Sequence, residues 1–180
     1  NELTADDVVW THQRHWGLQG VSWGFLKDAM LLSSVDAVKK EGPYTYTIHS
    51  DAPNALLEII QAHQGAQIYD SVEFQKHATE DDPWATKWAG SNFIGHGAWK
   101  LTEYTPGQSW TFERNENYYN PAEYTGNVTK IVNRVIPSSA NRVALLETGD
   151  IDMAFDLQSS ELKALEGKPG IRVDHLAGNH

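Results

Sequence analysis

The 180-residue chain has no cysteine and only 2 methionines. Without thiols there are no disulfide staples, thiolate zinc sites or cysteine nucleophiles, a composition compatible with an oxidising compartment. Positive charge is also scarce: 14 Lys and Arg stand against 24 Asp and Glu, a formal charge of −10 with the 8 histidines neutral. Such a surface repels phosphate backbones and anionic lipid, and no basic patch offsets it, so nucleic acid is not expected as a partner. No run approaches the ~18 apolar residues that a membrane-crossing helix needs. Glycine-rich phosphate loops are missing, and no Gly-x-Ser-x-Gly elbow surrounds Ser138, Ser139, Ser159 or Ser160. There is no internal repeat and no low-complexity segment. The first residue is Asn1, not Met, and no targeting signal follows it, so the chain is expected to be an excerpt of a longer one. Its 40% hydrophobic and 21% charged residues are ordinary for a globular chain, and the length suits one full domain or two small ones. What is plentiful is rings: 7 Trp, 7 Tyr and 5 Phe.

Local signals divide the chain. Thr4 followed by Asp6 and Asp7 reads as a capped helix entrance, with Leu3 and Val8 placed for a hydrophobic staple and the helix running to about His15. A second helix is expected from Trp23 to Leu32, despite Gly24. Val35 to Lys40 and Tyr44 to His49 read as a hairpin around Glu41-Gly42-Pro43. Pro53 opens a helical stretch carrying Leu56, Leu57, Ile59 and Ile60, and Glu80-Asp81-Asp82-Pro83 opens another in which Trp84 and Trp88 share a face. After a loop from Ser91 to Gly97 the period switches to two: Trp99 and Leu101, then Trp110 and Phe112, flank the turn Thr105-Pro106-Gly107-Gln108, with the rings expected in the hairpin core. The Tyr-rich stretch from Asn115 to Asn127 reads as an ordered loop. Lys130 to Pro137 is expected as a strand covered on both faces, then a helix capped by Ser139 and ended by Gly149, a strand from Ile151 to Leu157, a helix capped by Ser159, and a last strand from Ile171 to Val173. That β, α, β, α, β order predicts an α/β layer structure, a mixed sheet with flanking helices.

Candidate chemistry is sparse. His12 and His15 sit three apart, which puts both imidazoles on one helix face as a metal pair requires, but no third ligand is nearby. His96 lies between Gly95 and Gly97, in what a plain turn also explains. Asp6-Asp7 and Glu80-Asp81-Asp82 are accounted for by helix starts, and Asp150 with Asp152 by a solvated turn, so the paired carboxylates of a glycosidase are not supported. Asn127-Val128-Thr129 matches a three-residue glycosylation sequon, a weak pattern. Trp16, Trp23, Trp84 and Trp88 can pack in a core or line a cleft that takes a ring, a sugar face or a peptide side chain.

Four motifs in register carry a resemblance. They are Leu3-Thr4-Ala5-Asp6-Asp7-Val8-Val9 followed by Arg14; Gly95-His96-Gly97-Ala98-Trp99-Lys100-Leu101; Phe112-Glu113-Arg114-Asn115 with Tyr118-Tyr119; and Arg142 to Leu146 with Glu147-Thr148-Gly149-Asp150-Ile151-Asp152. In order and spacing, across nearly all of the chain, they resemble the family 5 extracytoplasmic solute-binding proteins, the oligopeptide-, dipeptide- and nickel-binding components of ABC importers. His96 and Ala98-Trp99 depart from the Thr and Pro-Tyr of many members.

The resemblance implies part of lobe one of a two-lobed, periplasmic-binding-protein type II fold. Residues 1 to about 90 would form mostly the small extra subdomain and 91 to 180 the lobe-one sheet, with Leu176 to His180 near the crossing to an absent second lobe. It further implies a non-enzymatic, periplasmic or extracytoplasmic binding component that closes on a peptide between its lobes and delivers it to a membrane permease. No cofactor is implied. Phe155, Asp156, Leu157 and Gln158 would occupy the lip of the cleft, where strand ends bind ligand in open α/β sheets, with Trp23 and Phe25 approaching from the other subdomain. There Asp156 would pair with a cationic group and Phe155 meet an apolar one; alternatively, Asp156 merely ends a strand in solvent. Other solutes of the same family, an oligosaccharide or a nickel or other metal complex, remain alternatives. From a different class, so does a carbohydrate-active enzyme or carbohydrate-binding module. Half a cleft supplies half the contacts, so the 180 residues alone are expected to bind weakly and, with edges exposed, to self-associate.

Overall fold

The computed structural model describes residues 1–123 and 126–174, which group into two compact units. The first comprises Asn1–Tyr104 with Thr111–Ile131, the second Thr105–Trp110 with Val132 onward. The expected end at Leu176 to His180 lies outside the described residues.

In the first unit, α1 (Ala5–Leu18) starts where the sequence signals it. The Asp7 carboxylate accepts the Thr4 N–H at 2.8 Å and the Thr4 hydroxyl at 3.1 Å, closing the first turn on itself. Leu3 stays 49% exposed. α2 (Val21–Met30) follows, ended by Leu31 in a left-handed conformation. A 3-10 turn at Val35–Ala37 then delays β1 to Val38–Gly42, which pairs antiparallel with β2 (Thr45–Ile48), a shorter hairpin than the sequence predicts. Leu26, Met30, Leu32 and Ala37 are buried together, with Trp16, Ile48, Leu57 and Ile60 packed around them. The apolar run after Pro53 yields only α3 (Leu57–Gln61), because Asn54 draws the chain into a turn by accepting the Leu56 N–H at 3.0 Å.

A second cluster is aromatic. α4 (Ser71–Lys76) brings Phe74 within 5.6 Å of Trp10, 5.2 Å of Tyr69 and 5.2 Å of Trp88, between ring centroids. Trp84 and Trp88 do not share a helix face. Ala85 takes a left-handed φ of 49°, so α5 begins only at Thr86 (Thr86–Ala89). Trp84 turns to Trp10, while Trp88 stacks on His77 at 4.1 Å with the planes 7° apart. A stripe of buried polar residues on α1, Asp7, Thr11 and Arg14, is anchored to the segment before and into α4: Thr11 accepts the Tyr69 N–H at 2.9 Å, and Asp7 accepts from Ser71.

Three strands form the other sheet, in the order β3 (Trp99–Thr105), β4 (Ser109–Arg114), β5 (Lys130–Arg134). The turn between β3 and β4 closes through the Gln108 N–H to the Thr105 carbonyl at 3.0 Å, with Gly107 at φ 71° as a type II turn requires. The buried β4 residue is Thr111, whose hydroxyl meets Glu103 at 3.1 Å; Trp99, Trp110 and Phe112 are half-buried, so the rings line the hairpin without filling a core. β5 is not covered on both faces, since its Ile131 and Val132 are 36% and 56% exposed, as is Val135 just beyond it at 44%.

In the second unit, α6 (Ser139–Thr148) is capped by Ser138, one residue before the expected Ser139, and ended by Gly149 at φ 76°. α7 (Ser159–Leu165) is capped by Gln158, whose N–H bonds to Glu161 at 2.7 Å, in place of Ser159. The strands expected at Ile151–Leu157 and Ile171–Val173 do not form. A strand needs a partner for its main chain. In the first of these stretches the Asp156 carbonyl accepts instead from the Arg142 side chain, and just before it the Asp150 carbonyl accepts from Arg134, each at 2.9 Å.

Candidate functional site

The second unit holds Phe155, Asp156, Leu157 and Gln158 on the connection into α7. Residues 151–158 run with Ile151, Ala154 and Leu157 half-buried and the intervening side chains outward, a period of three that leaves Met153 66% and Phe155 65% exposed. Asp156 has a φ of 55°, in the left-handed region that a side chain rarely adopts. Its carboxylate is exposed and has no ion-pair partner among the described residues, while its carbonyl accepts from the Arg142 guanidinium at 2.9 Å. The segment thus presents an aromatic ring and a carboxylate side by side in sequence, both outward. That pair can take a group combining apolar surface with positive charge.

Trp23 and Phe25 lie in the first unit, on α2. Two residues apart on a helix, they point away from one another. Trp23 meets Trp16 edge-on at 5.3 Å and the Lys27 ammonium lies 5.2 Å from its ring; its indole Nε1 is buried without a hydrogen-bond partner among the described residues. Phe25 is 47% exposed and rests 4.8 Å from the His63 ring. Sequence reading named neither Lys27 nor His63, nor Arg142 as the anchor of Asp156. Arg142 stood in one of the four motifs, but no local pattern signals which carbonyl an arginine will reach.

His12 and His15 are half-buried on α1, beside Trp16 at 5.6 Å and Tyr69 at 5.9 Å. Burial pulls the basicity of both below the ordinary imidazole value of 6.5, partly opposed at His12 by a bond to the Ser34 main chain and reinforced at His15 by the nearby Arg14 charge. No group of three or more metal-ligating side chains gathers among the described residues. His96 is exposed in its loop. A cleft of about 290 Å³ lies between α4, α5 and β3, lined among others by Glu73, Trp88, Phe93 and Tyr104.

The comparisons with known proteins bear on the whole chain. The family described as bacterial extracellular solute-binding proteins, family 5 Middle, matches residues 1–179. The oligopeptide-binding protein AppA of Bacillus subtilis is 28% identical over 96% of this chain and 30% of its own length. A probable D,D-dipeptide-binding periplasmic protein, DdpA of Escherichia coli, is 29% identical over 99% of this chain and 34% of its own. Among solved structures, the periplasmic binding protein DppA of Helicobacter pylori, in complex with peptide STSA, superposes with a TM-score of 0.75 at 20% identity, over 94% of this chain and 33% of that one. This last likeness is one of fold. The chain spans about a third of the length of these relatives. The relatives are binding proteins, not enzymes, and the mixed α/β architecture is that of a periplasmic binding protein. With the match running from the first residue to the penultimate one, the chain belongs to the bacterial extracellular solute-binding proteins of family 5.

Proposed function

We propose that this chain is part of the substrate-binding component of an ABC-type importer, that its solute is a peptide, and that it works outside the cytoplasm. The observation that carries the reading is the family match over residues 1–179, together with relatives named for oligopeptide and D,D-dipeptide binding. In this reading residues 1 to about 90 form mostly the small extra subdomain and 91 to 180 the lobe-one sheet portion. Phe155 to Gln158 are the proposed solute contacts of the second unit, and Trp23 and Phe25, on different sides of α2, are separate proposed contacts of the first. The outward Phe155 ring and the Asp156 carboxylate, which has no ion-pair partner among the described residues, suit an apolar and a cationic part of a peptide respectively. Cleft closure then shifts a two-state hinge equilibrium, and the closed form is what a membrane permease receives.

Native mass spectrometry of the full-length protein, purified without denaturation, tests the solute. Co-purifying masses that fragment as peptides support the reading; a nickel or other metal complex, or an oligosaccharide, overturns it. The 180 residues alone, with only one side of such a cleft, bind the same solute weakly. Calorimetry on the isolated chain giving a Kd of about micromolar or tighter would contradict this.

A further inference from the structure

We infer that Arg142 is a positioning residue for the solute-contacting segment, holding Phe155 and Asp156 in their outward presentation. The inference rests on the reading of residues 155–158 as part of the cleft. Arg142 is half-buried near the start of α6, and one of its terminal nitrogens donates to the carbonyls of Ile136 and, at 3.2 Å, Pro137, just before the Ser138 cap. The other donates to the Asp156 carbonyl at 2.9 Å. One planar guanidinium therefore ties the end of the β5–α6 connection to the approach to α7.

Three features assign this arrangement to positioning. The bonds go to main-chain oxygens and leave the Asp156 carboxylate without an ion-pair partner among the described residues, so its negative charge stays available to a solute. Asp156 holds a left-handed φ of 55°, which persists only where the surroundings fix it, and the bonded carbonyl is its own. The entrances of α6 and α7 have a separate tie: the Ser139 hydroxyl donates to Glu161 at 2.8 Å, and Glu161 also accepts the Gln158 N–H. Loss of Arg142 thus frees residues 154–157 while both helices remain capped. A lysine, with a single point of donation, cannot span three carbonyls as the fork does.

The test uses the full-length protein with Arg142→Gln and Arg142→Lys, each alone and combined with Phe155→Ala and Asp156→Asn. The probe is the tetrapeptide Ala-Lys-Ala-Ala. In both arginine variants the amide order parameters of residues 154–157 are expected to fall from about 0.85 to below about 0.6, with α6 and α7 unchanged. Probe affinity is expected to fall about tenfold in the otherwise native protein and to change less than about twofold when Phe155 and Asp156 are already replaced, because order is lost only where it serves contact. Unchanged order parameters, or an equal loss of affinity in both backgrounds, overturn the inference. If the probe fails to distinguish native protein from the Phe155→Ala/Asp156→Asn variant, the cleft reading of the segment fails. The order parameters then decide alone: a fall upholds Arg142 as the residue that orders 154–157, and no change removes that role too.

Discussion

The buried carboxylate of Asp7 accepts both the main-chain N–H and the hydroxyl of Ser71, at 2.9 and 2.7 Å, across 64 residues of sequence. The same side chain closes the first turn of α1 on Thr4, so one carboxylate anchors two helix starts. Replacing it strands the N–H groups of Ser71 and Thr4 in a place where Asp7 itself is only 4% exposed. Asp7→Ala is expected to cost about 2–4 kcal/mol, the penalty of unsatisfied buried donors bonded to a charged group. Asp7→Asn, which keeps one acceptor oxygen, should cost less. Urea unfolding measures both. Ser71→Ala should be nearly neutral once Asp7 is gone, and additive costs would show that the two do not act as a pair.

Acid stability should follow two carboxylates. Bonds from the Thr86 hydroxyl, the Lys87 N–H and the Thr86 N–H pull Asp82 from an ordinary value of 3.8 to about 2. At Asp7 burial pushes upward, but the bonds from Thr4 and Ser71 outweigh it and the net direction is down. A carboxyl depressed in the folded state stabilises fully above its unfolded value and loses that contribution as pH falls through the folded one. Stability is therefore expected to decline between about pH 4 and pH 2. Asp82→Asn should flatten that decline, as read from thermal unfolding across the window.

The histidines act higher on the pH scale, and also on the acid side. Both His12 and His15 are depressed below 6.5, chiefly because burial penalises the imidazolium. The unfolded chain then binds protons more readily than the folded one, so stability is full above about 6.5 and falls as pH drops through the interval down to the folded values. His12→Gln with His15→Gln should flatten stability between about pH 7 and pH 5, where carboxylates still contribute little. A slope that persists in this double variant would place its origin elsewhere.

What the sequence made legible was local. The Thr4, Asp6, Asp7 signature located α1, and Pro106-Gly107 located the turn of the second hairpin, because caps and turns are decided by neighbouring residues. Errors arose where distant groups decide. Ala85 adopts a left-handed φ that separates Trp84 from Trp88, although the spacing alone suggested one helix face. The Ile151–Leu157 stretch has strand-like composition, yet its Asp156 carbonyl, and the Asp150 carbonyl just before it, are met by two arginine side chains. For the candidate site, sequence order and resemblance could name Phe155 to Gln158. The arginine that bonds Asp156 lies 14 residues earlier and is visible only in three dimensions.

Two helical glycines should respond in opposite directions to the same substitution. A Cβ on Gly17 would lie 2.5 Å from three atoms of the Trp84 indole, far inside contact distance. The ring cannot simply swing away: it packs on Trp10 at 6.0 Å, and the Trp84 carbonyl accepts the Arg14 Nε–H at 3.1 Å. Gly17→Ala is expected to destabilise by about 1–3 kcal/mol, the usual cost of overpacking. At Gly24, inside α2, an added methyl would meet nothing within 4 Å, so Gly24→Ala adds only helix propensity and should stabilise by up to about 1 kcal/mol. Denaturant midpoints of the two variants check the pair. Equal shifts would mean that propensity dominates at both sites and that the Trp84 contact yields freely, whereas opposed shifts tie the end of α1 to the indole that Ala85 sets apart from α5.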